Sequence, residues 1–216
     1  ATDPAVAMDL LDAGIDIFAH MISRVDDALV GRFRSHPSTV VLSALGGPHR
    51  AVYAPWLAPV QPLIAQTVRP DQIARLQSRF PLRDSGERAR AEQSWAALAD
   101  AVRRLHAAGV RIGVGTDGGG QQGDQFLGWT MHAELENLVM AGLTPMDALL
   151  AATRDTASIL KLDELGALTP GKSADFIVLD ADPLADITNT RRIAAVYLRG
   201  RAVERERLAE AFARGN

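Results

Sequence analysis

An acid surrounded by small residues marks the most chemically suggestive point of the chain. Asp117 follows the apolar run 111–116 and precedes three consecutive glycines that begin at Gly118. Glycine accepts positive φ and leaves its neighbour uncovered, so the carboxylate stays accessible where a buried strand ends. His20 ends a second apolar segment, 13–20. Because parallel α/β proteins carry their chemistry at the carboxyl ends of strands, these two side chains are the first candidates for a site.

The composition limits the class of protein. With 216 residues, 47% of them hydrophobic, and a formal net charge of -3, the chain is expected to be a soluble globular protein. Its compartment, cytoplasmic or periplasmic, is left open. The chain has no basic face for nucleic acid and no apolar run long enough to span a membrane, so neither partner is expected. The chain has no cysteine, so any metal must be held by histidine and carboxylate.

The elements that position Asp117 and His20 alternate between strand and helix. Segments of strand length are apolar and β-branched, and the segments between them place apolar residues at helical spacing. The sequence predicts strands over 13–20, 38–45 and 111–116, and helices over 6–11, 23–33, 83–108, 131–141 and 144–160.

Capping residues set the expected helix ends. Ser23 and Thr144 are the expected N-caps of two helices, and Pro145 occupies the first helical position after Thr144. Gly109 and Gly142 stand where C-terminal caps belong. Four prolines and weak periodicity over 49–80 predict a long connection with short helices that lies over the site.

The last part of the chain changes character. A turn-rich linker over 166–172 precedes two short predicted strands, 174–180 and 193–201, that are expected to form the edge of a small antiparallel sheet, and a terminal helix follows over 208–214. The expected domains are therefore 1–165, 166–207 and a tail, 208–216.

The fold class that follows is α/β with a parallel sheet. Three parallel strands cannot close an eight-stranded barrel, so either the sheet is open or the chain is one part of a larger barrel.

Five segments of the chain carry a family resemblance. In chain order these segments are 13–20, 114–119, 132–145, 151–153 and 171–184. The most specific stretch, 171–180, reads GKSADFIVLD, and Asp182-Pro183 follows after one residue. With these segments the chain resembles the amidohydrolase superfamily, in the branch similar to imidazolonepropionase and Xaa-Pro dipeptidases.

The resemblance implies a metal-dependent hydrolase on a (β/α)8 barrel with a small β-sandwich built from both chain ends. His20 then matches the metal-ligand histidine that ends the sixth barrel strand. Asp117 matches the aspartate that ends the eighth strand, which binds the metal and takes the proton of the attacking water. A divalent ion, most simply one or two Zn²⁺, would activate that water. The implied substrates are dipeptides, N-acyl amino acids or cyclic amides, cleaved at a C–N bond.

The departures from the family pattern define which part of the barrel this is. No His-x-His pair occurs, and no lysine precedes Lys161. The resemblance thus implies a partial barrel, strands six to eight with their helices, followed by the closing sandwich strands. The missing N-terminal half, from the same protein or a companion chain, becomes the expected partner beside the small substrate, and a homo-oligomer is compatible with this organisation.

Other side chains and a second functional class complete the expectations. His132, at the start of a helix, is a candidate for substrate binding, against the alternative of a cap or packing group. His36, His49 and His106 are expected to be structural or exposed. The alternative to a hydrolase is a non-catalytic barrel fragment or interaction module without a complete metal site.

Overall fold

Two sheets of different type organise the chain. The computed structural model describes residues 1–46, 64–65, 68–79, 84–118 and 127–214. Within these residues the first three strands form a parallel sheet in the order β1-β2-β3, and the last three form an antiparallel sheet in the order β4-β5-β6. The α/β class is therefore confirmed, and the C-terminal strands form a small antiparallel sheet as expected.

The parallel sheet is built from very short strands joined by helices. In chain order these elements are α1 (Pro4–Asp12), β1 (Ile17–Phe18), α2 (Asp27–Ser35), β2 (Val40–Leu42), α3 (Pro70–Arg79), α4 (Ser85–Ala107), β3 (Ile112–Gly113) and α5 (Trp129–Met140). Ile17 pairs with Val40, and Val41 pairs with Ile112. Most of the expected connection 49–80 lies outside the described residues, and α3 falls in its last part.

The first strand is shorter than the segment 13–20 because its beginning closes a helix. Ala13 N–H donates to Asp9 O, and Gly14, at φ 80, follows as the left-handed residue. Ile15 N–H then donates to Leu10 O, so the ladder can begin only afterwards.

Short side chains cap the helices, and one expected cap was wrong. The side chain of Asp26, not Ser23, caps α2 and accepts from Leu29 N–H at 2.9 Å. Asp84 caps α4 in the same way. Thr144 is confirmed as the N-cap of α6 (Pro145–Leu150) and accepts from Asp147 N–H.

The expected helix 144–160 is divided in the structure. After α6 the chain forms one π-helical turn (Ala151–Asp155) and then α7 (Thr156–Ile159). The Thr156 hydroxyl donates to Ala151 O at 2.6 Å and accepts from Val114 N–H at 2.9 Å. This one hydroxyl therefore joins the π-turn to the chain just beyond β3, on the side of β3 that does not face β2.

The core lies between the parallel sheet and its helices. Phe18 of β1, Phe33 of α2 and Val41 of β2 are at most 2% exposed, and the two phenylalanine rings pack with centroids 5.7 Å apart. Trp95, Leu98, Val102 and Leu105 of α4 are buried with them, as the helical period predicts. Among the described helices, none combines the length and apolar character needed to span a membrane.

The C-terminal sheet is small and largely exposed. β4 (Phe176–Leu179) pairs antiparallel with β5 (Ile193–Leu198), which pairs with β6 (Arg201–Ala202). A 3-10 helix (Ile187–Arg191) connects β4 to β5, and α8 (Arg205–Arg214) ends the described chain. The Phe176 and Tyr197 rings stack with centroids 4.5 Å apart. The antiparallel pairing of the two expected strands is confirmed, but the expected strand 193–201 ends at Leu198, and Arg199 and Gly200 turn the chain into β6.

Candidate active site

The carboxyl ends of β1, β2 and β3 form one edge of the parallel sheet. His20 follows β1 and Asp117 follows β3, so both side chains are carried by the same edge, with the end of β2 between them. In a flat sheet β1 and β3 would lie about 10 Å apart, since neighbouring strands are about 4.8 Å apart.

The segments that follow β1 and β3 come together beyond the end of β2. A Cβ built on Gly115 would lie 3.8 Å from the carbonyl oxygen of Ala19, the residue before His20. It would also lie 3.2 Å from the Cβ of Leu42 and 3.8 Å from the Cβ of Ala44. The ends of all three strands therefore converge on Gly115, where an added Cβ would be tight against Leu42 and in ordinary contact with Ala19 and Ala44.

His20 is exposed on a segment whose neighbours are buried. Phe18 before it and Met21 and Ile22 after it are at most 2% exposed. The chain after His20 is also held by the N-terminus, because Thr2 N–H donates to Met21 O at 3.0 Å and Ser23 N–H donates to Thr2 O at 2.8 Å. These anchors fix the backbone and leave the imidazole at the surface of the edge.

Asp117 is held in a tight turn with left-handed backbone. Its φ is 52°, and the hydroxyl of Thr116 accepts from Gly118 N–H at 3.2 Å across the turn. A Cβ on Gly118 would lie 3.2 Å from the Thr130 hydroxyl oxygen, so α5 packs against this turn. Asp117 is exposed.

A second left-handed residue lies at the same edge. Ala44, just beyond β2, has a φ of 44°. Non-glycine residues in this region are uncommon and cluster at functional sites, and alanine lacks the local hydrogen bonds that help aspartate adopt it. The strain at Ala44 and the turn at Asp117 together mark this edge as the best candidate site.

His20 and Asp117 have the donor types that a divalent metal such as Zn²⁺ accepts, imidazole nitrogen and carboxylate oxygen. Within the described ranges, no group of three or more histidine, aspartate or glutamate side chains is placed to hold an ion. The described part of this chain therefore offers part of a donor set.

His132 lies on α5 and contacts the 3-10 helix. The Thr190 hydroxyl donates to Ile187 O at 2.9 Å, so its oxygen accepts from His132 Nδ1 at 3.1 Å. This arrangement assigns the proton to Nδ1 and leaves Nε2 as an acceptor. Burial, together with the nearby Arg191 charge, lowers the pKa of His132 to about 4. The hydrogen bond between His132 and Thr190 is the contact expected of a packing group, the alternative to a substrate-binding role.

Charged and aromatic groups surround this contact. Arg191 forms an ion pair with Glu136 and lies 5.7 Å from the centroid of the Trp129 ring. Burial raises the pKa of the Glu136 carboxyl, and Arg191 opposes that shift. The cluster joins α5 to the segment before β5.

Two of the remaining histidines are described. His36 Nδ1 lies 2.9 Å from Arg32 O, beside the end of α2, and His106 is exposed on α4 with Nε2 3.8 Å from the Asp147 carboxylate. Their structural or exposed roles agree with the sequence analysis, whereas His49 lies outside the described residues.

The sequence analysis did not single out Glu134. This carboxylate is 1% exposed on α5, and its Oε1 accepts from Leu45 N–H, just beyond Ala44, at 2.7 Å. A signal existed in the sequence: position 134 lies one helical turn from the buried residues Thr130 and Leu138, so an acid there faces the core.

The chain is similar in sequence to known proteins of one family. The model of the amidohydrolase family matches residues 63–203, a range that contains Asp117 and His132 and begins after His20. The adenine deaminase of Desulfitobacterium hafniense is 40% identical over 73 residues, which cover 34% of this chain and 12% of that protein. The imidazolonepropionase of Deinococcus deserti is 39% identical over 88 residues, which cover 41% of this chain and 22% of that protein.

A similar fold is found in a crystal structure of a Xaa-Pro dipeptidase with bound methionine in the active site. It matches with a TM-score of 0.64 at 21% sequence identity and covers 93% of this chain. The match covers 43% of the dipeptidase chain, so this chain spans less than half the length of that protein.

Proposed function

The chain belongs to the amidohydrolase family, and from that membership we propose that it is the C-terminal part of a metal-dependent hydrolase that cleaves C–N bonds in small substrates. The convergence of strand ends at Gly115 carries the proposal, because it brings the backbone that bears His20 and the backbone that bears Asp117 to one edge. An imidazole and a carboxylate at one end of a parallel sheet are the pair that such chemistry requires.

The parallel sheet is proposed to be strands six to eight of a (β/α)8 barrel, within residues 1–165. Support comes from the parallel pairing, the helices between the strands, and the convergence of the strand ends at Gly115. A barrel of this kind needs eight strands, so the others are proposed to come from an N-terminal half outside this chain. Residues 166–207 are proposed to close a small β-sandwich with strands from that half, because Ile177, Val178 and Leu198 are exposed.

The proposed metal is a divalent ion such as Zn²⁺, held by His20 and Asp117 together with donors from the N-terminal half. A bound ion of this kind lowers the pKa of water and polarises a carbonyl. His20 and Asp117 fit such an ion because they supply an imidazole nitrogen and a carboxylate oxygen at the same edge of the parallel sheet. Three or four protein ligands are usual for zinc, so two from this chain require partners from elsewhere.

Asp117 is the residue of this chain proposed to move the proton. Its carboxylate is exposed at the strand edge, where it is proposed to accept a proton from the attacking water and to return it to the leaving nitrogen. The left-handed turn, bridged by the Thr116 hydroxyl, sets the backbone position from which the carboxylate extends.

The proposed substrates are dipeptides, N-acyl amino acids or cyclic amides. Any contact of His132 with a substrate falls to Nε2, because Nδ1 donates to the Thr190 oxygen and the low pKa keeps the ring neutral. His132 would then accept a hydrogen bond from the substrate.

Metal analysis together with turnover tests this proposal. The chain should bind substoichiometric Zn²⁺ by itself and about one to two Zn²⁺ when joined to its N-terminal half. The joined protein should release amine from a panel of N-acyl amino acids, dipeptides and cyclic amides. The substitution His20→Ala should reduce the metal content, and His106→Ala on the exposed face of α4 should leave it unchanged. A joined protein with neither metal nor turnover would favour the non-catalytic alternative.

A further inference from the structure

A buried carboxylate supports the proposed site from behind. Glu134 lies in the buried stripe of α5, where Thr130, Asn137 and Leu138 are also at most 3% exposed. Removing a carboxylate from water is unfavourable unless hydrogen-bond donors replace its hydration. An apolar side chain could pack against the core at this position of the helix without that cost. The contacts of Glu134 therefore indicate what the charge does here.

Both carboxylate oxygens accept hydrogen bonds. Oε1 accepts from Leu45 N–H at 2.7 Å, and Oε2 accepts from Asn137 Nδ2 at 3.1 Å. The first bond reaches from α5 to the chain beyond β2, and the second lies within α5 and orients the carboxylate. Bonds to an ionised acceptor are short and strong, so the Leu45 contact is a firm anchor.

Leu45 directly follows the two residues that make the last described hydrogen bonds between the end of β2 and the end of β3. Ser43 N–H donates to Gly113 O and Ala44 N–H donates to Gly115 O, each at 3.0 Å. Ala44 then takes its φ of 44°, and Leu45 N–H turns toward Glu134. Without an acceptor there, the 0% exposed Leu45 would leave a buried donor unpaired.

Ala44, with its left-handed backbone, contacts Gly115, on which the ends of the three strands converge. The Ala44 Cβ is one of the atoms nearest to a Cβ built on Gly115, and Gly115 precedes the turn at Asp117. A chain of direct contacts thus runs from Glu134 through Leu45 and Ala44 to Gly115.

We propose that Glu134 is a positioning residue, whose hydrogen bond to Leu45 N–H holds the end of β2 between the segments that bear His20 and Asp117. The role in metal binding rests on the proposed function, whereas the role in backbone geometry does not. Glu134 acts on the strand edge through the backbone of Leu45.

Two substitutions separate the roles of shape and hydrogen bonding. Glu134→Leu keeps a side chain of similar size and removes both acceptors. Glu134→Gln keeps an acceptor for Leu45 N–H, and its amide can donate to Asn137 Oδ1, which has no partner within the described residues. Glu136→Gln is the matched control, because that half-buried carboxylate on the same helix bonds to Arg191 instead of the strand edge.

Amide exchange and chemical shifts measured by NMR on the chain test the proposal. Glu134→Leu should speed exchange of the Leu45 amide by about tenfold or more and shift the amides of 115–118, and Glu134→Gln should restore both. Unchanged Leu45 exchange in Glu134→Leu, or shifts over 115–118 no larger than in Glu136→Gln, would overturn the assignment.

A Zn²⁺ titration followed by NMR tests the proposed role of Glu134 in metal binding. In the protein joined to its N-terminal half, the Zn²⁺ concentration at the midpoint of the chemical-shift changes at His20 and Asp117 should rise about tenfold in Glu134→Leu and stay near the wild-type value in Glu134→Gln and Glu136→Gln. An unchanged midpoint in Glu134→Leu would overturn the role in metal binding. If the wild-type chain, joined to its N-terminal half, shows no response to Zn²⁺, the proposed function fails, and Leu45 exchange still decides the backbone role.

Discussion

Gly115 faces the carbonyl oxygen of Ala19 across the end of β2, so closely that a Cβ on Gly115 would lie 3.8 Å from that oxygen. The two residues belong to chain segments that are not neighbours in the sheet. Their proximity shows that the segments after β1 and β3 converge beyond the end of β2. The consequences can be measured at Gly115 itself.

Substituting Gly115→Val should destabilise the chain. The new Cβ would lie 3.2 Å from the Leu42 Cβ, and two further methyl groups would separate the strand ends. We expect a loss of about 1–3 kcal/mol in the free energy of unfolding, measured by chemical denaturation. The control is Gly31→Ala in α2, where nothing lies within 4 Å of the added Cβ. It should stabilise by about 0.5–1 kcal/mol. Equal effects of the two substitutions would argue against the convergence.

Substituting Asp117→Asn should remove hydrolysis and keep the fold. Asparagine adopts left-handed backbone as readily as aspartate, so the turn at φ 52° persists while the proton acceptor is lost. In the joined protein we expect kcat to fall by about 10²-fold or more, with an unchanged unfolding midpoint. Asp9→Asn on the exposed face of α1 is the control. A kcat near the wild-type value in Asp117→Asn would contradict the proton-transfer role.

The stability of the chain should depend on pH through His132. Folding lowers the His132 pKa from its ordinary 6.5 to about 4, so the unfolded chain binds more protons between these values. The free energy of unfolding should therefore fall by about 1–3 kcal/mol as the pH drops from about 6.5 to about 4. Denaturation at several pH values measures this dependence.

An amide in place of the imidazole should remove that dependence. In His132→Asn the side-chain N–H can still donate to Thr190 and does not titrate, so its stability should change less across the window. His106→Asn, at a position with a 45% exposed side chain, should keep the wild-type slope. A wild-type slope in His132→Asn would assign the effect to another group.

Substituting Thr156→Val should loosen the contact between the π-turn and β3. Valine has nearly the same shape but cannot accept from Val114 N–H or donate to Ala151 O. Unfolding should require about 1–3 kcal/mol less, and Thr156→Ser should recover most of that difference. Thr153→Val is the control, because the exposed Thr153 hydroxyl bonds only to Leu149 O in its own helix among the described residues. A loss in Thr153→Val as large as in Thr156→Val would show that the bond to Val114 contributes little.

Local sequence rules predicted much of the fold. Thr144 and Pro145 begin α6 as expected, and Gly109 and Gly142 adopt positive φ after α4 and α5. The apolar spacing of α4 predicted its buried residues, and two β-branched, apolar segments predicted β4 and β5. Each of these features depends on residues within a few positions of one another, so a single segment contains the cause.

Rules of the same kind failed where a distant partner competes. Asp26 rather than Ser23 caps α2, because Met21 and Ile22 are buried and the chain there is bonded to Thr2. The helix over 144–160 changes to a π-turn at Ala151, where the Thr156 hydroxyl joins it to Val114. In both cases the deciding contact joins segments far apart in the sequence.

The sequence by itself determined the family, the strand–helix order, and the candidates His20 and Asp117, because residue type and local spacing encode caps, periodicity and motifs. Only the tertiary structure decided how the strand ends meet. The approach of Gly115 to Ala19, the left-handed Ala44 and the bond from Leu45 to Glu134 follow from packing between separate segments. A buried acid is unfavourable unless a donor reaches it, and that donor is supplied by a strand end 89 positions away in the chain.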